Sequence, residues 1–330
     1  MKIVIPGGSG QIGAVLVRAF VADGHEVVVL SRKSWRTWRA SAQADTHSVR
    51  HVEWDSETLG RWVTEFDGAD VVINLAGRSV NCRYGTRNRR EIKESRVKST
   101  RAVGQAIAEA ARPPRVWLQA STATIYAHRY DAANDETTGI LGGDEPNAPD
   151  TWRFSIDVAK SWEQAAIEAH TPNTRQVLLR SAIMMSPDCG GALDYLLRLV
   201  RWGLGGKLGD GRQFVSWIQD RDFIRAVYWL IDHDLAGPVN LASPNPLPNA
   251  EFMCSLRDAW GCRIGLPTTE WMLEVGTFLM RSESELVLKS RRVIPGRLLG
   301  SGFEFEFSAW SEAAQDLCDR WRGIQRPDQS

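Results

Sequence analysis

The sequence predicts an α/β protein: a Rossmann-type, doubly wound parallel sheet with a smaller, mainly helical C-terminal substrate lobe. Three observations carry this expectation. Apolar strand-like runs alternate with amphipathic stretches through roughly the first 180 residues, the pattern of a parallel sheet covered on both faces. The first of these runs, Ile3–Ile5, leads directly into glycines at 7, 10 and 13. After Arg180 the rhythm breaks into short segments punctuated by Gly and Pro, too interrupted for a second doubly wound domain.

The first crossover is the most informative stretch. Ile12, Val15, Leu16, Ala19 and Phe20 follow the glycines at helical spacing. Gly7 permits the tight turn, Gly10 lets backbone N–H groups approach a pyrophosphate, and Gly13 lets the helix lie close to the strand. The helix N-terminus then faces negative charge. Gly24 ends the helix and Val27–Leu30 reads as the second strand. An NAD site usually carries a carboxylate at the end of that strand. Here the residues are Ser31-Arg32-Lys33, and a guanidinium suits a 2′-phosphate that a carboxylate would repel. The expected cofactor is NADP(H).

Further strands are expected at Val52–Trp54, ending at Asp55, at Val71–Asn74, leading to Leu75-Ala76-Gly77, and at Val116–Gln119, running into Ser121-Thr122. A long helix from about Thr86 is stopped by Pro113-Pro114. A polar loop covers 130–150, a helix 152–170, and a sixth strand Gln176–Leu179. Ligands of such sheets bind at the carboxyl ends of the strands. Beyond them come a helix at 193–200, a glycine-rich stretch at 203–211, a strand at 214–218, a helix at 221–231 and a strand at 239–241. Helices at 250–260 and 270–280, an alternating strand at Phe303–Phe307 and a final helix complete the chain. Residues 1–185 are expected to form the dinucleotide domain, with 214–243 returning to it, and 186–213 with 244–330 the substrate lobe.

The 40 Lys and Arg residues balance 40 Asp and Glu, which argues against nucleic acid or an anionic membrane as partner. Five scattered cysteines contain no C-x-x-C and no zinc spacing, so no metal site is expected. No apolar stretch reaches transmembrane length, and the chain enters its first strand at once, so a cytoplasmic protein is expected. Most of the 14 tryptophans are read as core or pocket walls.

Gly7-x-x-Gly10-x-x-Gly13, Asn74-Leu-Ala-Gly77 and Ser121-Thr-Ala-Thr-Ile-Tyr126 together resemble the extended short-chain dehydrogenase/reductase superfamily. The chain is more closely similar to its atypical epimerase family, which carries a C-terminal domain of unknown function. The stretches that match are Ile92–Val97, Ser186–Ala192, Gly203–Gly209, Gly211–Ile218, Gly237–Asn240, Arg292–Pro295 and Gly302–Phe305. The resemblance implies that Gly7, Gly10, Gln11, Ile12 and Gly13 hold the pyrophosphate, and Ser31 and Arg32 the 2′-phosphate. It implies Asp55 near adenine, and Leu75, Ala76 and Gly77 near the adenosine ribose. Thr122 falls on the superfamily's catalytic Ser/Thr position, with Ser121 beside it. By analogy, a small-molecule substrate and a homodimer through the long helices after strands four and five are expected.

The catalytic pattern breaks in one place. The superfamily's Tyr-x-x-x-Lys is absent: residues four after Tyr84, Tyr126, Tyr130, Tyr195 and Tyr228 are Asn88, Tyr130, Asn134, Leu199 and Asp232. With Glu163 as anchor, the tyrosine position falls on Ser155 and the lysine position on Ala159. Lys160 is one step off, about 100° around the helix. Candidate replacements for the missing acid are Tyr126, and Ser121 or Thr122 through water, with Lys160 reaching a ribose only if the helix is rotated. Three readings follow. The chain is an oxidoreductase or epimerase-like enzyme with a replaced acid, a non-catalytic NADP(H) sensor or scaffold, or a catalyst whose substrate supplies its own acid. On the substrate side, Arg96 answers a phosphate or carboxylate, or else forms a helix-surface salt bridge. Arg212 and Trp217 offer a cation and a stacking plane, with Trp217 read first as core. Asp220-Arg-Asp222 is read chiefly as a helix N-terminal cap.

Overall fold

The computed structural model describes residues 1–32, 49–146, 148–267 and 289–325. In its first half, strands β1 (Lys2–Pro6), β2 (Glu26–Ser31), β3 (Val49–Glu53), β4 (Val71–Asn74), β5 (Val116–Thr122) and β6 (Arg175–Ser181) alternate with helices α1 (Gln11–Ala22), α2 (Thr86–Glu109) and α3 (Asp150–Ile167). The second half holds β7 (Ile183–Met185), α4 (Ala192–Arg201), β8 (Phe214–Val215), β9 (Trp217–Gln219), α5 (Asp220–Asp232) and β10 (Gly237–Leu241). After these come β11 (Leu247–Pro248), α6 (Asn249–Trp260), α7 (Gly296–Gly300) and α8 (Trp310–Gln325).

Seven parallel strands form one sheet in the order β10-β6-β5-β4-β1-β2-β3. The chain winds outward from β1 in one direction, then crosses to β4 and winds in the other. The switch therefore falls between β1 and β4, where their carboxyl ends open a crevice. Side chains one step apart along a strand take opposite faces. Ile3, Ile5, Val27, Val29, Val71 and Ile73 lie under α1 and α5, while Val4, Val28, Leu30 and Val72 lie under α2. Both faces are buried, which is why these strands read as continuous apolar runs.

β10 adds to the sheet edge, pairing Val239 with Leu179, and α5 supplies Phe223, Val227 and Leu230 to the same core as α1. Leu298 and Phe303 also belong to that core. The smaller lobe has its own apolar center from α4, α6 and α8, including Leu197, Phe252 and Leu317. There the rings of Phe252 and Trp310 stack with centroids 4.1 Å apart.

Four local expectations are corrected. The strand expected at 214–218 is two strands, broken where the Ser216 hydroxyl donates to Arg291 O (2.6 Å) and accepts from Val293 N (2.9 Å). Trp54 lies beyond the end of β3. Phe303–Phe307 is not a strand: the Glu306 and Phe307 N–H groups donate to the Asp222 carboxylate, each at 2.8 Å, and Phe303 packs on Trp229 and Phe305. Its alternating pattern serves packing and a side-chain acceptor rather than a ladder. Gln219, not the Asp pair, caps α5, and Asp220 pairs with Arg320 at 2.7 Å. The helix expected at 270–280 lies outside the described residues. No helix among the described residues is long and apolar enough to cross a membrane.

Candidate functional site

Each glycine of the first crossover has a separate job. Gly7 has φ +78°, and a Cβ there would stand 2.6 Å from Ala76 N, so only glycine lets the β1 and β4 loops meet. At Gly13 a Cβ would stand 2.4 Å from Gly8 O, so this position sets how closely α1 approaches the turn. At Gly10 a Cβ would meet only Gly7 O, at 3.5 Å, so the backbone there faces open space. Gly10 is also the N-cap of α1, with no side-chain cap and no acid in the first turn. The exposed amides and the positive end of the helix dipole together suit an anion.

The flanking residues surround that opening. The buried Ser31 hydroxyl donates to Ser9 Oγ at 2.9 Å, and exposed Arg32 follows it; Lys33 lies outside the described residues. Asp55 is exposed after β3 and accepts the Glu57 and Thr58 N–H groups at 2.8 and 2.9 Å, forming a turn that carries Ser56 at φ +69°. Leu75 N donates to Pro6 O (2.8 Å) and Ala76 N to Asn74 Oδ1 (3.1 Å), which fixes the β4 end with Gly77 exposed. Ile12 packs on the core, while the exposed Gln11 side chain lies against Gly191, where a Cβ would be only 2.2 Å from Nε2. That loop is tied to α1 by Arg18 and Asp188 at 2.5 Å.

The reaction side is built from side chains. Glu163 on α3 accepts from Ser121 Oγ (2.5 Å) and from Arg180 Nε and Nη2 (2.8 Å each). Arg180 Nη1 donates to the Tyr126 hydroxyl (3.0 Å), which donates to Asn240 Oδ1 (3.0 Å). All five residues are buried. Burial pushes the Tyr126 phenol above its usual range, against the opposing pull of Arg180. Ser121 and Tyr126, expected as candidate acids, are therefore members of a closed polar network and not cleft-facing donors.

Thr122 is partly exposed, and its hydroxyl accepts from Thr124 N at 3.2 Å while keeping its own proton to donate. Ala159 is fully buried with Ala123, Ile125 and Tyr126, so α3 is not rotated to bring Lys160 inward. The Lys160 ammonium lies beside Gly143, on the loop before α3.

Arg96 lies across Gly77 with its guanidinium 5.0 Å from the Trp162 ring, and burial pulls its pKa down to about 10. The surface salt bridge weighed for Arg96 is not formed among the described residues. Arg212 is exposed over the Tyr130 ring at 5.8 Å. Trp217 is fully buried beside Trp310, so its ring is core rather than a stacking plane. Sequence reasoning missed the Glu163–Arg180 pair and two buried cations near Thr124. Lys289 Nζ donates to Thr124 O (2.8 Å), and Arg291 Nε to Thr124 Oγ1 (3.2 Å). Arg180, a charge inside an apolar run, signals a buried cation but not its partner.

A family model described as the NAD dependent epimerase/dehydratase family matches residues 3–242, and one described as a domain of unknown function (DUF1731) matches residues 268–317. An epimerase family protein of Staphylococcus haemolyticus is 30% identical over 327 residues, covering 96% of this chain and 99% of its own length. The structure of the human epimerase family protein SDR39U1, solved with NADPH, aligns with TM-score 0.81 and 27% identity over 97% of this chain and 99% of that one. A nucleoside-diphosphate sugar epimerase from Corynebacterium glutamicum aligns with TM-score 0.72 and 26% identity over 98% of this chain and 61% of its own.

Proposed function

Because the chain belongs to the NAD dependent epimerase/dehydratase family, we propose that it binds NADP(H) and acts as an atypical oxidoreductase or epimerase-like enzyme on a small polar or nucleotide-linked substrate. The observation that carries this reading is the open backbone at Gly10, on an uncapped helix start, with Ser31 and Arg32 at the neighboring strand end. The NADPH bound to the human relative supports the same reading. In it, Gly7, Gly10, Gln11, Ile12 and Gly13 hold the diphosphate, and Ser31 and Arg32 the 2′-phosphate. Asp55 borders adenine, and Leu75, Ala76 and Gly77 border the ribose. The bound dinucleotide supplies hydride exchange at its nicotinamide ring.

With no Tyr-x-x-x-Lys, the proton moves through the Thr122 hydroxyl and water, or comes from an acid of the substrate itself. Arg212 over Tyr130 offers an anionic or aromatic substrate an outer contact. We further infer a cytoplasmic protein and, by analogy with related extended enzymes, a homodimer through α2 and α3.

The confinement of Ser121 and Tyr126 favors one other reading, a sensor that binds NADP(H) without turnover. Oxidation of NADPH across a carbonyl panel separates the two. An enzyme shows turnover that Thr122→Val lowers by about 100-fold with NADPH binding unchanged. A sensor binds NADPH and oxidizes it with no member of the panel.

A further inference from the structure

We propose that Arg96 is an oxyanion-binding residue of the cleft, holding a phosphate or carboxylate between the end of β4 and α3. The proposal rests on the dinucleotide reading of the crevice and adds a second anion contact to it.

Arg96 sits on the face of α2 that packs against α3. One turn before it, Ile92 is buried with Val158; one turn after it, Thr100 Oγ1 accepts from Trp162 Nε1 at 3.0 Å. Between these contacts Arg96 turns inward. Its Cγ and Cζ lie 3.2 Å, and its Nε 3.4 Å, from where a Cβ on Gly77 would stand. The side chain thus crosses the carboxyl end of β4, the end at which such sheets bind ligands. Nη1 donates to two backbone carbonyls, Arg78 O at 2.9 Å and Ile92 O at 3.0 Å, which fixes the guanidinium plane.

Nε and Nη2 have no hydrogen-bond partner among the described residues, and no carboxylate there pairs with Arg96. Glu91, five residues earlier on α2, is taken by Arg78 and by Arg87, the latter at 2.7 Å. The titratable groups acting on Arg96 are Tyr84 and Cys82. Arg96 is a half-buried cation held by two carbonyls, and its remaining donors are free to take an anion. The place matters too. Arg96 meets α3 at Trp162, about one helical turn along α3 from Ala159, the position where the superfamily's lysine is missing.

The oxyanion has two sources, the diphosphate of the bound dinucleotide or an acidic group of the substrate. Calorimetry on the full-length protein distinguishes them, with NADPH, with adenosine 2′,5′-bisphosphate, and with inorganic phosphate added to NADPH-saturated protein. If the dinucleotide is the source, Arg96→Gln weakens NADPH by about tenfold or more and leaves the bisphosphate unchanged. If the substrate is the source, NADPH is unchanged and phosphate binding weakens by a similar factor. Arg96→Lys retains part of the affinity in either case. Unchanged affinity for all three probes in folded Arg96→Gln overturns the proposal. Should that variant not fold, unchanged affinities in Arg96→Lys overturn it. Should wild-type protein ignore NADPH, the dinucleotide reading fails, and phosphate binding to the unliganded wild type and variants decides Arg96 alone.

Discussion

The two sides of the cleft are made from different materials. At the amino-terminal crossover the chain uses backbone: Gly7 and Gly13 bring segments into contact that a Cβ would hold apart, and Gly10 leaves room beside an uncapped helix start. At the β5–α3 side it uses side chains from four separate elements, with Ser121, Glu163, Arg180 and Asn240 closed into one buried network. The backbone site tolerates no side chain at its contacts, and its partners are backbone atoms of the turn itself and of the β4 end. The side-chain site depends on every partner at once, because removing one member of a buried charge pair leaves the other uncompensated.

The largest test of this contrast is therefore on the network. Glu163→Gln or Arg180→Met is expected to cost about 3–5 kcal/mol in urea unfolding, whereas the double variant Glu163→Leu with Arg180→Met recovers most of that loss. Equal loss in single and double variants would mean that packing, not charge, holds the helix there. Next come the glycines. Gly7→Ala is expected to lose roughly 1–3 kcal/mol, because it forces a side chain into a left-handed backbone and onto Ala76. Gly10→Ala is expected to keep its melting temperature and lose about tenfold in NADPH affinity, read by melting and calorimetry side by side. Loss of stability in both would make Gly10 another structural glycine.

The smallest effect is a pH dependence. Burial, with the Lys289 charge adding to it, holds His128 below its ordinary 6.5. Its neutral form is thus favored in the folded state. The stability this contributes is complete above pH 6.5 and falls as pH drops from there toward the lowered value, since the unfolded chain takes up the proton first. His128→Asn is expected to flatten that part of the stability profile, and an unchanged slope would remove His128 as its source.

The same contrast decides what was legible in the sequence. The strand runs of the sheet and the spacing Gly7, Gly10, Gly13 are local signals, so fold and crossover could be read directly. Glu163 served only as an alignment anchor. Its pairing with Arg180 spans two elements, and nothing in either segment alone announces it. Tyr126 read as a cleft acid because it follows β5, but the chain turns it inward to Arg180 and Asn240. The Phe303–Phe307 alternation misled for a related reason: period two marks a strand only when a neighboring strand takes the backbone hydrogen bonds, and here Asp222 takes two of them.

The central claim is that the crossover binds a dinucleotide carrying a 2′-phosphate. Titration calorimetry of wild type and Arg32→Glu with NADPH and NADH tests it most directly. The account predicts that wild type prefers NADPH by about tenfold or more, and that Arg32→Glu loses or reverses the preference. Equal or tighter binding of NADH by wild type, or no heat with either nucleotide, would contradict it.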